Sequence, residues 1–167
     1  MNWEFHTFRT LDTHRLFKLM KLRTDVFVVE QQCAYPELDA FDSLPNTIHL
    51  LGFDQHTLTA YARAMPIAST TDAHSITTIK IGRVVVIKSH RGTGLADQLM
   101  KRLMNQLDAT YPGKDQILSA QEPIVHFYRT LGFDTESDMY LEDDIPHIDM
   151  RRSSKPALVP TSGSAPA

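Results

Sequence analysis

Residues 81–104 read IGRVVVIKSHRGTGLADQLMKRLM, and three local patterns follow one another inside them. The β-branched run from Val84 to Ile87 predicts a strand. The turn Arg91-Gly92-Thr93-Gly94 breaks it. Beyond it leucine recurs every fourth residue at Leu95, Leu99, Leu103 and Leu107, flanked by Ala96, Met100 and Met104. That stripe predicts an amphipathic helix laid on a core. A strand that feeds a small-residue turn at a helix start gathers backbone N–H groups, and the helix dipole adds positive potential, so the stretch suits a phosphate-bearing ligand. Two common phosphate loops do not fit: Leu95 and Ala96 follow Gly94 where GxxxxGK[ST] needs Lys and Ser or Thr, and Asp97 breaks GxGxxG.

Working outward, WEFHTF (3–8) alternates as a first strand would, and residues 11–31 carry Leu16, Leu19, Met20, Val26 and Phe27 at near-helical spacing behind Asp12 or Thr13 as a cap. CAYPELDAFDSLPN (33–46) is turn chemistry throughout and reads as an ordered or mobile loop over a site. IHLLGF, LTAYARAM and TTIKIGRVVVI then predict an antiparallel meander, its first hairpin at Asp54–Thr57. After the leucine helix, QILSAQ (116–121) predicts a strand. EPIVHFYRTLGF places Pro123 in a helix first turn and Gly132 at its C-terminal cap. Residues 133–151 predict two last strands joined at the acidic EDDIP turn, and SSKPALVPTSGSAPA has too little apolar surface to fold. The expected organisation is one domain over residues 1–152 and a disordered tail over 153–167.

Composition narrows the function. The 167 residues hold 17 Lys and Arg against 20 Asp and Glu, a net charge of -3 with no basic stripe, so nucleic acid is not an expected partner. No segment approaches the ~20 apolar residues of a membrane span, and the N-terminus has no signal-like pattern. The single Cys33 allows no internal disulfide and suits a reducing compartment. A cytoplasmic protein without membrane partners is the expectation. Eight scattered histidines form no HExxH or paired Cys/His spacing, so no metal is expected.

Arg91-Gly92-Thr93-Gly94-Leu95-Ala96 resembles motif A of the GNAT-type acyl-CoA N-acyltransferases. VFVVEQ, YPELD, YAR, IGRVVV, RGTGLA, AQ, FYRTLGF and EDDIPHI, in that order, look like the ElaA-like subgroup and span nearly all of residues 3–152. The resemblance implies an α/β fold: a mixed, mainly antiparallel sheet of about seven strands flanked by helices and split between the VVV and LSAQ strands. It implies that Val84, Val85 and Val86 pair with the pantetheine arm of acetyl-CoA and that Arg91, Gly92, Thr93, Gly94, Leu95 and Ala96 wrap its pyrophosphate. Gln121 stands where many relatives carry asparagine, and its amide would bond pantetheine. The acceptor would be an amine.

Acyl transfer to an amine needs a neutral nitrogen. A lysine-like amine is neutral about once in 2,500 molecules at pH 7, a cost of about 4.6 kcal/mol for a base to offset. Glu30, at the end of the first helical segment, and His147 are the candidate bases. Tyr128 matches the family tyrosine that faces the thioester sulfur; phenol and thiol pKa values make full proton transfer uphill by about 2 kcal/mol, so hydrogen bonding to the leaving sulfur is the expected role. Glu37, Asp39, Asp42, Glu142, Asp143 and Asp144 form an acidic set able to draw a cationic amine, or simply solvated turns. Cys33 reads as a loop or packing thiol. A fold-retaining acyl-CoA-binding module without turnover is the competing reading, and hydrolysis lacks a GxSxG.

Overall fold

The computed structural model describes residues 1–72 and 75–154. Strand β1 (Asn2–His6) leads to helix α1 (Thr13–Arg23), which Asp12 caps by accepting from the Arg15 backbone N–H at 2.7 Å. The expected single helix widens from Thr24 to Glu30 into a π-helix. An expanded turn of this kind is invisible to apolar spacing, because it shifts the facing residues without changing their type. The meander follows as β2 (Ile48–Asp54), β3 (Thr57–Ala68) and β4 (Ile76–Val86), all antiparallel. Helix α2 (Leu95–Thr110), strand β5 (Asp115–Gln121) and helix α3 (Val125–Thr130) come next.

The chain closes with β6 (Asp134–Thr135), β7 (Tyr140–Glu142) and β8 (Ile145–Arg152), three strands where two were expected. Asp143 and Asp144, both with left-handed φ (50° and 62°), make the β7–β8 turn. The result is a mixed eight-stranded sheet in the order β1-β2-β3-β4-β5-β8-β6, with β7 paired to β8. Among the described residues only β4 and β5 run parallel. The tail expected over 153–167 falls, beyond Ser154, outside the described residues.

Both faces of the sheet are covered. Leu50, Ala62, Ala64, Ile79 and Ile81 point to one side and pack on the buried α2 stripe Leu95, Leu99, Leu103 and Leu107. Leu51, Phe53, Tyr61 and Val85 point to the other, against Leu19 and Leu22 of α1 and Val26 of the π-turn. Adjacent Leu50 and Leu51 thus serve opposite cores, as the two-residue strand period requires. Leu103 is fully buried, and truncating it to Ala would cost about 2–5 kcal/mol.

His49 lies inside the sheet, 1% exposed. Its Nε2 faces the Asp42 carbonyl at 3.0 Å, which can only accept, so Nε2 carries the hydrogen and Nδ1 accepts from the Tyr61 hydroxyl at 2.8 Å. Burial pushes its pKa down to about 4. The unfolded chain, with an ordinary His pKa of ~6.5, therefore takes the proton first as pH falls. Stability should be full above pH 6.5 and drop by about 3 kcal/mol toward pH 4. Denaturant midpoints measured across that window check this, and a flat profile would mean that the site accommodates imidazolium.

Candidate active site

Strands β4 and β5 are hydrogen-bonded only over Thr78–Lys80 and Asp115–Ile117, and beyond that point they part. β5 stays paired to β8 along Gln116–Gln121. β4 swings toward β3, where the register slips by one residue between the Tyr61–Val85 and Arg63–Gly82 pairs. That extra residue is a β-bulge, and Arg83 within it takes φ 54°. The gap opens into a cleft of about 390 Å³ lined by both strands, α3, the π-turn, the 33–46 loop and the β7–β8 hairpin.

Val84, Val85, Val86, Arg91, Gln121, Tyr128 and His147 all line this cleft. Gly92, Thr93, Gly94, Leu95 and Ala96 form the turn into α2 just beyond Arg91. Gly92 and Gly94 have φ of 75° and 81°, and a Cβ at either would meet no atom within 4 Å, so the turn is open on its outer side. Gly94 caps α2, whose first backbone N–H groups are left free for an anion. The Arg91 guanidinium is anchored by Nε donating to the Val86 carbonyl at 2.9 Å.

Glu30 is not among the lining residues. It grips Arg91 in a two-point ion pair at 2.5 and 3.1 Å, and that hydrogen bond holds its carboxyl below the usual carboxylate range. A carboxylate so paired is a weaker base than a free one. His147 faces the cleft from β8, beside Gln121 of β5. Its Nδ1 donates to the Ile145 carbonyl at 2.8 Å, which leaves Nε2 as a bare acceptor. Tyr128 is 5% exposed, packed edge-on by Phe127 and Phe133, and its hydroxyl has no hydrogen-bond partner among the described residues. Burial raises its pKa above the ordinary tyrosine value.

The structure divides the acidic set. Glu37, Asp39 and Asp42 are not left for a ligand, because Arg23, Arg63 and Arg83 take them. Arg23, fully buried, donates Nε to Glu37 at 2.9 Å and Nη1 to Asp42 at 2.6 Å. Arg63 holds Asp39 and Asp42 at 2.6 Å each, and Arg83 pairs with Glu37 at 2.8 Å and Asp39 at 3.2 Å. Burial pushes the Asp42 carboxyl up, but the Arg23 hydrogen bond and charge outweigh it and leave it at about 2. The 33–46 loop is therefore an ordered wall. Through it Tyr35 reaches the cleft under the Arg83 guanidinium, 5.8 Å from its ring centre, and burial lifts the Tyr35 hydroxyl to about 12.

Gln31, Tyr35 and Arg83 are cleft residues that site-by-site reading of the sequence missed. Tyr35 and Arg83 stood within the YPELD and IGRVVV blocks, but only the bulge and the ion pairs explain why they face inward. Gln121 donates Nε2 to Gln31 Oε1 at 3.4 Å, bridging β5 and the π-turn. Among the described residues no three His, Cys, Asp or Glu gather as metal ligands would, and no helix is long and apolar enough to cross a membrane.

The chain matches the family model of the acetyltransferase (GNAT) domain over residues 30–154. It is 36% identical over 152 residues to protein ElaA of Escherichia coli K12, covering 91% of this chain and 96% of that one. A UPF0039 protein of Schizosaccharomyces pombe is 38% identical over 152 residues, covering 90% and 96%. The crystal structure of an acyl-CoA N-acyltransferase from Pseudomonas aeruginosa superposes with a TM-score of 0.83 at 37% identity, over 92% of this chain and all of that one.

Glu37 is 4% exposed and serves two arginines at once. Glu37→Gln leaves the cluster of three arginines and two aspartates with one uncompensated positive charge, so unfolding free energy should fall by about 3–5 kcal/mol. Chemical denaturation measures the loss. A change under 1 kcal/mol would show that Asp39 and Asp42 suffice to hold the loop.

Proposed function

The chain belongs to the GNAT acetyltransferase family, and on that premise we propose that it transfers the acetyl group of acetyl-CoA directly to a primary amine. The parting of β4 from β5 carries this reading. It leaves the backbone of Val84, Val85 and Val86 without a strand partner on the β5 side, facing the Gln121 amide across a gap that suits an extended, amide-bearing arm. At one end the open Gly92–Gly94 turn, the α2 N-terminus and Arg91 suit a pyrophosphate. At the other end stand the two groups the chemistry needs, Tyr128 and His147.

In the proposed step the amine nitrogen forms the new C–N bond to the thioester carbonyl carbon, the C–S bond breaks, and sulfur leaves with the electron pair. His147 Nε2 takes the amine proton. The Tyr128 hydroxyl, without a hydrogen-bond partner among the described residues, donates a hydrogen bond to the departing sulfur. A backbone N–H of the β4 edge near Val85 meets the oxyanion. Glu30, considered above as a base, neutralises Arg91 instead, and acyl-CoA binding must exchange that partner for phosphate.

Amine-dependent release of CoA thiol tests the reaction; acetyl-CoA binding without it would make the chain a binding module. His147→Gln should lower kcat by ~10²-fold or more at neutral pH, with partial recovery at high pH where the amine deprotonates unaided. Glu30→Gln should alter mainly the KM for acetyl-CoA. If Glu30→Gln carries the kcat loss and His147→Gln does not, the two roles are reversed.

Gly94→Val should weaken acetyl-CoA by at least tenfold while costing about 1–2 kcal/mol for its left-handed φ. Gly113, at φ 75° in the turn after α2, provides the matched control: Gly113→Val should lose stability alone. Calorimetric titration of both folded variants separates the effects, and equal affinities would remove the pyrophosphate from this turn.

A further inference from the structure

The acceptor end of the cleft is formed by Cys33 and Tyr35 on the loop side and by Glu142, Asp143 and His147 on the hairpin side. Its charges are unbalanced. The two arginines that line the cleft are already neutralised, Arg83 by Glu37 and Asp39 and Arg91 by Glu30. Glu142 and Asp143 make no ion pair among the described residues. Of six carboxylates that sequence alone could not sort, three are sealed in the arginine cluster and these two face the ligand space.

Strand geometry fixes where Glu142 sits relative to the proposed base. β7 and β8 pair Tyr140 with His147 and Glu142 with Ile145, so Tyr140, Glu142, Ile145 and His147 share one face of the hairpin. The Tyr140 and His147 rings stack at 6.3 Å on that face. Glu142 is diagonal to His147, a Cβ separation of roughly 7–8 Å or somewhat less, which a short diamine spans. The same cleft holds the Tyr128 hydroxyl, on a side chain 5% exposed and without a hydrogen-bond partner among the described residues, so the pocket is built to receive a polar ligand and not only to shed water.

We propose that the acceptor is a small amine carrying a second positive charge, with Glu142 and Asp143 holding that second charge while His147 deprotonates the reacting nitrogen. This rests on the acyl-transfer reading above. The chemistry selects the dication. The reacting nitrogen must surrender its charge before attack, so carboxylates that bound only that ammonium would oppose the step. A second ammonium stays charged throughout, and attraction to it survives into the transition state. Cys33 Sγ donates to the Asp143 carbonyl at 3.8 Å and joins the loop wall to the hairpin wall, which favours a slender acceptor over a folded protein surface.

The test compares CoA thiol release from acetyl-CoA with 1,4-diaminobutane, 1-aminobutane, 4-aminobutanoate and a lysine-containing basic peptide. The diamine should exceed the monoamine in kcat/KM by about fivefold to tenfold, the scale of two exposed charge contacts, and 4-aminobutanoate should fall below both. Raising salt on the unaltered protein should narrow the diamine preference, and the double variant Glu142→Gln with Asp143→Asn should bring the ratio close to one. Equal efficiency for diamine and monoamine, a ratio untouched by both salt and the double variant, or a peptide that outruns the diamine overturns the proposal and leaves acyl transfer standing. Thiol release with none of the acceptors overturns both.

Discussion

The molecule turns on one broken ladder. β5 is paired to β8 from Gln116 to Gln121, whereas β4 carries one residue too many against β3, and the two strands can satisfy their other partners only by separating after three shared residues. Separation leaves a strand edge inside a covered sheet, the one place where unpaired backbone groups meet a pocket and not open water. Everything at the cleft follows from that: the valines are presented by their backbone, the glycine turn lies at the end of the same strand, and His147 arrives through the register of β8 with Gln121.

The bulge is held from the loop side. Arg83 occupies its strained position, and its guanidinium is fastened to Glu37 and Asp39 while it covers the Tyr35 ring. Arg23 and Arg63 complete the neutralisation, so the 33–46 segment has the rigidity of a packed element despite its turn-rich composition. Burying charges such as Arg23, Glu37 and Arg63 is expensive, and the gain is positional: the loop wall, the bulge and the end of α1 are locked to one another.

Elements whose structure is written in side-chain type were legible in the sequence. The α2 stripe, the meander, the Asp12 cap and the Gly132 terminus stand as their patterns indicated, while the split between the VVV and LSAQ strands is implied by the family resemblance and not by any local pattern. What escaped has a common cause. A π-turn, a one-residue bulge and the partners of a carboxylate are relations between distant residues, and no local period encodes them. Glu30 shows the difference: its position beside the loop suggested a base, but Arg91, distant in sequence, claims it. The histidine tautomers are likewise set by carbonyls met only in three dimensions.

The cluster of Arg23, Arg63 and Arg83 with Glu37, Asp39 and Asp42 is a closed set in which each charge has its counterpart. Its members come from α1, β3, β4 and one loop, and a single exchange that removes a charge unbalances the set, whereas a matched pair of such exchanges does not. A change of charge at any of these six positions is therefore felt in elements far apart in sequence, whereas the Glu142 and Asp143 side chains, in no ion pair among the described residues, can lose their charge without stranding another inside the protein.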